Sequence, residues 1–275
     1  MKTFSVKQEK LMSKFIAAMD HSGGSTGGVL ERYGCEYTEE NKMDLVHEMR
    51  LRMINSPNFN SSNIWAAILY KDSVERGAVD VLGSKGIEAI LKVDSGCHMN
   101  GLLKDFPLDE MIDYAIAKGC TGTKMRSIVK TPMILNAVLD QQFELATVIY
   151  AAGLMPIVEP EIPIEHDEKK MMEELLAREL QTRLDTFDGK CILKLTLPDT
   201  PNLFLKLTEH PKVSKVVGLS GGYSTVEACN RLSLQENMTA SFSRALSEGL
   251  LVTQSDEEFN NKISSNIKAI TIASQ

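Results

Sequence analysis

The sequence predicts an α/β protein, a single-domain (β/α)8 TIM barrel over residues 1–275, on three observations. Eight short apolar runs with strand character recur along the chain, amphipathic stretches of helical period lie between them, and no Ser/Gly linker, Pro-rich hinge or low-complexity tract divides the whole. A strand followed by a helix, repeated roughly every 30 residues, builds a parallel sheet with right-handed connections. Eight such units in 275 residues fit one closed barrel.

The runs are Phe15–Ala18, Ile64–Leu69, Ile87–Val93, Thr121–Met125, Met155–Val158, Ile192–Leu197, Val213–Leu219 and Met238–Phe242. Helical stretches are expected at Asn41–Ile54, Met133–Tyr150, Glu168–Thr186 and Thr225–Leu232, each long enough to cross from one strand to the next. In the first of them Leu45, Val46, Met49 and Met53 form an apolar stripe, and Met171, Leu175, Leu176 and Leu180 form another. Such stripes pack on a sheet. The 14 methionines are spread along the chain and read as core filling, and Lys169–Lys170 among Glu168, Glu173 and Glu174 reads as a solvated helix face.

Composition narrows the function. With 37 acidic and 30 basic residues, a net charge of −7, nucleic acid is not an expected partner. The apolar runs are strand-sized and the N-terminal stretch is charged throughout, so neither a membrane span nor an export signal is expected. Cys35, Cys97, Cys120, Cys191 and Cys229 are odd in number and form no CxxC pair, which fits reduced thiols and a cytoplasmic protein. The five histidines form no HxH or HExxH set, so no metal centre is expected.

Barrel enzymes assemble their sites at the C-terminal ends of the strands, and there these runs turn polar. The first delivers Asp20, then Ser22, Gly23, Gly24 and Ser25; the third delivers Lys92 and Asp94. Lys124 and Arg126 are two apart on the fourth, as are Glu159 and Glu161 on the fifth, so each pair shares one side of its strand. Lys194 stands inside CILKLTLP, the seventh run ends in Ser220, Gly221 and Gly222, and the eighth carries Ser241, Ser243 and Arg244.

Lys194 is the sharpest of these. A buried ammonium is expensive unless paired or neutralised, and burial beside another cation drives an amine toward the neutral form that can add to a carbonyl as a Schiff base. A single strand lysine could equally snorkel to water. Lys92 and Lys124 in equivalent contexts, with Arg126 as partner, argue against simple packing. Glu159 supplies the carboxyl that proton transfer in such chemistry requires, while Glu161 fits either that role or an internal ion pair. Glycine pairs usually mark turns, but here two lie beside serines on different strands, with Lys92 and Arg244 nearby. They can present N–H groups and hydroxyls to two anionic groups on opposite sides of one mouth.

Taken together, AAMDHSGGST, LKVD, GTKMR, GLMPIVEPEI, LKLTLP, LSGGYS and ASFSRAL, in this order and spacing from about Phe15 to Leu246, closely resemble class I fructose-bisphosphate aldolase in its short bacterial form. The resemblance implies a metal-independent, cofactor-free lyase of glycolysis and gluconeogenesis that reversibly cleaves fructose 1,6-bisphosphate. It implies Lys194 as the Schiff-base lysine, Glu159 as general acid/base, Asp20 at the reacting hydroxyls and Lys124 as the second active-site lysine with Arg126 as its binding partner. Ser220, Gly221 and Arg244, with Gly222 and Ser241 close by, match the cradle for the ketone-side phosphate; Ser22, Ser25 and Lys92 match the site for the other. The partners implied are small sugar phosphates, and a homo-oligomer is compatible with the reading. Departures are KVDSG, where Ser95 withdraws a cation, Gly27–Gly28–Val29, where relatives often carry basic residues, and an ITIASQ ending without a terminal tyrosine. Two alternatives stay open: a Schiff-base aldolase for another ketose phosphate, of tagatose or sedoheptulose type, and a phosphosugar-binding barrel without catalysis.

Overall fold

The computed structural model describes residues 14–275. Its strands are β1 (Phe15–Met19), β2 (Ile64–Leu69), β3 (Glu88–Lys92), β4 (Gly122–Ile128), β5 (Met155–Glu161), β6 (Cys191–Thr196), β7 (Val213–Leu219) and β8 (Met238–Ala240). The helices are α1 (Gly24–Tyr33), α2 (Lys42–Asn55), α3 (Lys71–Glu75), α4 (Ala78–Ser84), α5 (Leu108–Ala117), α6 (Pro132–Ala151), α7 (Lys169–Thr186), α8 (Leu205–Thr208), α9 (Thr225–Leu232), α10 (Arg244–Ser247) and α11 (Asp256–Ala273). Neighbouring strands pair in parallel in the order β1 to β8. The ring closes where the Ala18 N–H donates to the Phe242 carbonyl at 3.2 Å. The expected (β/α)8 barrel is therefore the observed one, and each of the eight predicted runs overlaps one of its strands. The last is the least regular: Phe242 lies beyond β8, yet its carbonyl makes the closing bond.

Two apolar cores follow from the period of two along each strand. Ile16, Ala18, Ala66, Ile68, Ile90, Ile157, Ile192 and Val217 fill the barrel interior. Their alternates, such as Ala17, Met19, Leu69, Leu91, Val158 and Leu193, join the layer beneath the helices. Because both faces are buried, the strands read as unbroken apolar runs instead of alternating ones. Continuing the interior parity past the apolar layers reaches Asp20, Lys92, Lys124, Glu159, Lys194 and Ser241. The site is thus the top layer of the barrel's own filling.

The helix α7 departs from its sequence reading. Lys169 and Glu173 are buried, at 5% and 0% exposure, whereas Met171, expected in the stripe, is 38% exposed and Met172 takes its place inside. Lys169 is no solvated charge: its ammonium binds Glu173 four residues on, Asp199 at 2.8 Å and the Leu197 carbonyl at 3.0 Å. The ion pair anchors the exit of β6 just beyond Lys194. A buried charge of this kind persists only when its partners come from other elements, which a one-dimensional pattern does not reveal. Among the described residues, no helix is long and apolar enough to cross a membrane.

Candidate active site

The C-terminal mouth of the barrel opens into a cavity of about 1110 Å3. Of the strand-end residues singled out from the sequence, all line it except Gly24 and Ser25; these two open the first turn of α1, and the Ser25 side chain lies outside the described residues. At the cavity floor four side chains alternate in charge. Lys194 Nζ lies 3.0 Å from Glu159 Oε1, Lys124 Nζ lies 3.1 Å from Glu159 Oε2, and Lys124 Nζ lies 2.6 Å from Asp20 Oδ2. Lys124, Glu159 and Lys194 are 2–4% exposed. Two strands of the row are cross-linked by Thr196, whose hydroxyl accepts from Ile162 N–H at 3.1 Å and donates to the Ile162 carbonyl at 2.7 Å, fixing β6 to the end of β5.

The electrostatics follow from this order. Burial alone would raise the Asp20 carboxyl, but Lys124 and Lys194 outweigh it and hold the group well below the usual carboxylate range. Burial likewise pulls Lys124 down, and Asp20 and Glu159 more than reverse it, so that ammonium stays firmly charged. Lys124 therefore does not face Lys194 as a bare cation; the Glu159 carboxylate takes one ammonium on each oxygen. The approach to Oε2 is a charge contact without hydrogen-bond alignment, since that buried oxygen has no hydrogen-bond partner. Ser241 Oγ, also buried and lining the cavity, has none either. These two atoms hold unspent hydrogen-bonding capacity where a substrate would sit.

Around this floor the rim is built differently from the expectation for Glu161. That carboxylate does not join the charged row at the floor; it binds Arg126 Nε, and the pairing, working against burial, keeps the guanidinium firmly charged. Lys92 Nζ is held by Asp94, 2.9 Å from Oδ1 and 2.6 Å from the carbonyl. Asp94 itself accepts from Gly96 N–H at 2.9 Å and Arg126 N–H at 3.3 Å, so one carboxylate organises the exit of β3 against β4. On the opposite side Arg244 Nη1 donates to the Gly222 carbonyl at 3.2 Å. Gly221 and Gly222 have φ of +58° and +124°, and among the described residues no hydrogen bond engages either N–H.

That corner is braced from below. Thr225 N–H donates to Glu248 at 2.7 Å, the Thr225 hydroxyl donates to the Ala245 carbonyl at 2.8 Å, and buried Asn266 on α11 donates to the Leu246 and Glu248 carbonyls at 3.0 and 2.9 Å. A Cβ on Gly222 would sit 3.1 Å from Arg244 Nη1. Gly222→Ala is therefore expected to cost about 1–3 kcal/mol in backbone strain and, by shifting Arg244, to raise KM about tenfold. Steady-state kinetics beside a urea melt checks this; an unchanged KM would remove Arg244 from the binding machinery.

Sequence reasoning missed three contributors. Arg50, 1% exposed, donates to the Ser73 hydroxyl at 2.9 Å and to the His21 carbonyl, pinning the chain just after Asp20. A signal was available: Val46, Met49, Arg50 and Met53 stand at helical spacing, an arginine within an apolar stripe. His21 shares a hydrogen bond with Ser243 Oγ at 2.5 Å, and burial together with Arg50 pushes its imidazole down to about 4, leaving it neutral at pH 7. Arg32, on the third turn of α1, also lines the cavity. Among the described residues no group of three or more His, Cys, Asp or Glu side chains is placed to hold a metal ion.

Comparison with known proteins agrees with the motifs. A fructose-bisphosphate aldolase class 1 from Synechocystis sp. is 45% identical over 98% of this chain and 96% of its own length. One from Clostridium acetobutylicum is 45% identical over 94% of this chain and 95% of its own. No protein-family model matches the sequence. Among solved structures, fructose-bisphosphate aldolase from Plasmodium falciparum, in complex with TRAP and a small-molecule inhibitor, shares the fold with a TM-score of 0.76 at 20% identity, covering 95% of this chain and 90% of that one. An archaeal fructose 1,6-bisphosphate aldolase superimposes at 0.61 with 13% identity, covering 94% and 93%. The solved structures establish the barrel, and the near-full-length identity goes further: the chain belongs to the class I fructose-bisphosphate aldolase family.

Proposed function

We propose that the protein cleaves fructose 1,6-bisphosphate reversibly into dihydroxyacetone phosphate and glyceraldehyde 3-phosphate through a Schiff base on Lys194, as a cytoplasmic enzyme without metal or organic cofactor. One observation carries the reading: a buried lysine amine 3.0 Å from a buried carboxylate whose second oxygen still has a lone pair to offer. Glu159 accepts a proton from Lys194, freeing the amine to add to the substrate ketone at C2. The same carboxyl returns the proton to the carbinolamine oxygen, which leaves as water and gives a cationic iminium. Asp20, kept ionised by Lys124, takes the proton of the C4 hydroxyl. The C3–C4 electron pair then flows into the iminium, releasing the aldehyde and leaving an enamine. Protonation of the enamine carbon and hydrolysis by water restore Lys194.

The two phosphates hold the sugar in register, so that binding energy far from C2 favours the reacting geometry. Ser220, Gly221, Gly222, Ser241 and Arg244 offer donors for the ketone-side phosphate, and Ser22, Ser25 and Lys92 for the other. Lys92 would turn from Asp94 to do so, and Arg126, fixed by Glu161, is a positioned cation between them. The test is a coupled cleavage assay with and without EDTA. Full activity in EDTA is expected. Activity lost to EDTA and restored by a divalent cation would refute the amine mechanism, and faster turnover of a tagatose or sedoheptulose phosphate would reassign the substrate.

A further inference from the structure

We infer that Arg32 is a second phosphate-binding arginine, which with Arg244 clamps the phosphate held at Ser220, Gly221 and Gly222. The inference rests on the sugar-phosphate reading above but concerns a residue outside the family motifs. Arg32 and Arg244 come from opposite ends of the chain, one from α1 and one from α10, and line the same cavity. Each lies over a glycine. Arg32 Nη1 is 3.5 Å from where a Cβ on Gly28 would stand, one helical turn earlier, so the guanidinium folds back toward the N-terminus of α1 and the mouth. Arg244 Nη1 stands 3.1 Å from the corresponding point on Gly222. The Gly27–Gly28–Val29 stretch, a loss of basic residues when read along the sequence, is what clears this path.

The charge balance of the site points the same way. Lys92, Lys124, Arg126 and Lys194 each carry a carboxylate partner, whereas among the described residues none pairs with Arg32 or Arg244. Burial first, and then the charge of Arg244, hold Arg32 below the usual arginine range, which puts the two guanidinium groups within electrostatic reach of each other. Glu31 opposes this more weakly, being the acceptor for the Tyr37 hydroxyl at 3.3 Å. Gly27 makes that contact possible, because a Cβ there would come within 2.2 Å of the Tyr37 oxygen. One carboxylate is thus drawn aside, and two forks converge on a corner that also offers unspent N–H groups. A phosphate dianion satisfies all of them.

Arg32→Met is expected to raise KM about tenfold or more for both fructose 1,6-bisphosphate and fructose 1-phosphate, which share the ketone-side phosphate, with kcat changed less than about twofold. Gly28→Leu, which fills the space the guanidinium occupies, is expected to do the same with the charge still present. An unchanged KM in Arg32→Met overturns the proposal, and so does a rise confined to the bisphosphate, which would put Arg32 on the other phosphate. A second readout needs no turnover. In the unaltered protein, inorganic phosphate is expected to protect Arg32 from phenylglyoxal, as read by peptide mass spectrometry. Equal modification with and without phosphate refutes the clamp, whereas protection in a protein that does not cleave the bisphosphate would refute the aldolase reading alone.

Discussion

Lys194→Ala is expected to abolish the adduct that borohydride traps with ketose phosphate and to lower kcat by at least about four orders of magnitude, the scale of losing a covalent nucleophile. The two neighbouring lysines of the site are not free to take over: Lys124 Nζ is spent on Asp20 and Glu159 and stays charged, and Lys92 is held by Asp94. The fold is expected to survive, because Glu159 keeps Lys124 as its counter-ion after the truncation. A trapped adduct in the variant, located on another residue by mass spectrometry, would sink the assignment of Lys194. KM is expected to change far less than kcat, since the proposed phosphate contacts lie on elements other than β6, at the ends of β1, β3, β7 and β8.

Lys124→Met is expected to damage both stability and chemistry. Its ammonium touches both the Asp20 carboxylate and that of buried Glu159. Removing it strands a buried charge, a loss of about 3–5 kcal/mol, and leaves Asp20 free to pick up a proton, so kcat is expected to fall by about three orders of magnitude. The pH dependence has a definite sign. Asp20 is depressed in the folded protein, so its contribution is present above its unfolded value of 3.8 and is lost as pH falls through the folded one. Lys124 is raised, so its contribution is present below its unfolded value of 10.5 and is lost only as pH rises through the folded one. Between about pH 5 and 9 both are complete. The difference in urea-unfolding free energy between the two proteins should be flat across that window and shrink below about pH 4. A difference that does not narrow in acid would mean that the Lys124 ion pair is not what stabilises the mouth.

The order of strands and helices was legible because the barrel repeats one local unit. Each run such as Ile64–Leu69 or Ile192–Leu197 is apolar for its whole length, a pattern that burial on both faces demands whichever neighbours the strand finds. The charged row at the floor of the mouth was legible for a related reason. A charged residue inside an apolar run, such as Lys124 or Lys194, cannot be explained by packing, and the period of two placed Arg126 beside Lys124 and Glu161 beside Glu159 on the barrel's inner side. The same rule did not say what each would touch. Glu161 and Glu159 share a strand and a face, yet one binds Arg126 at the rim and the other two lysines at the floor.

Amino-acid order alone determined the (β/α)8 class, the strands, and which strand ends carry charge, since these depend on periodicity and on the cost of burying a polar group, both local properties. Only the tertiary structure decided the pairings. It turned Lys169 and Glu173 from a solvated helix face into a buried anchor, brought Arg50 under His21, and placed Arg32 over Gly28 in the cavity that Arg244 also lines. In each case the partner is supplied by a remote element or by the space that a missing side chain leaves. The sign and strength of a charge's environment depend on separations of a few ångströms across the barrel, and chain closure sets those distances.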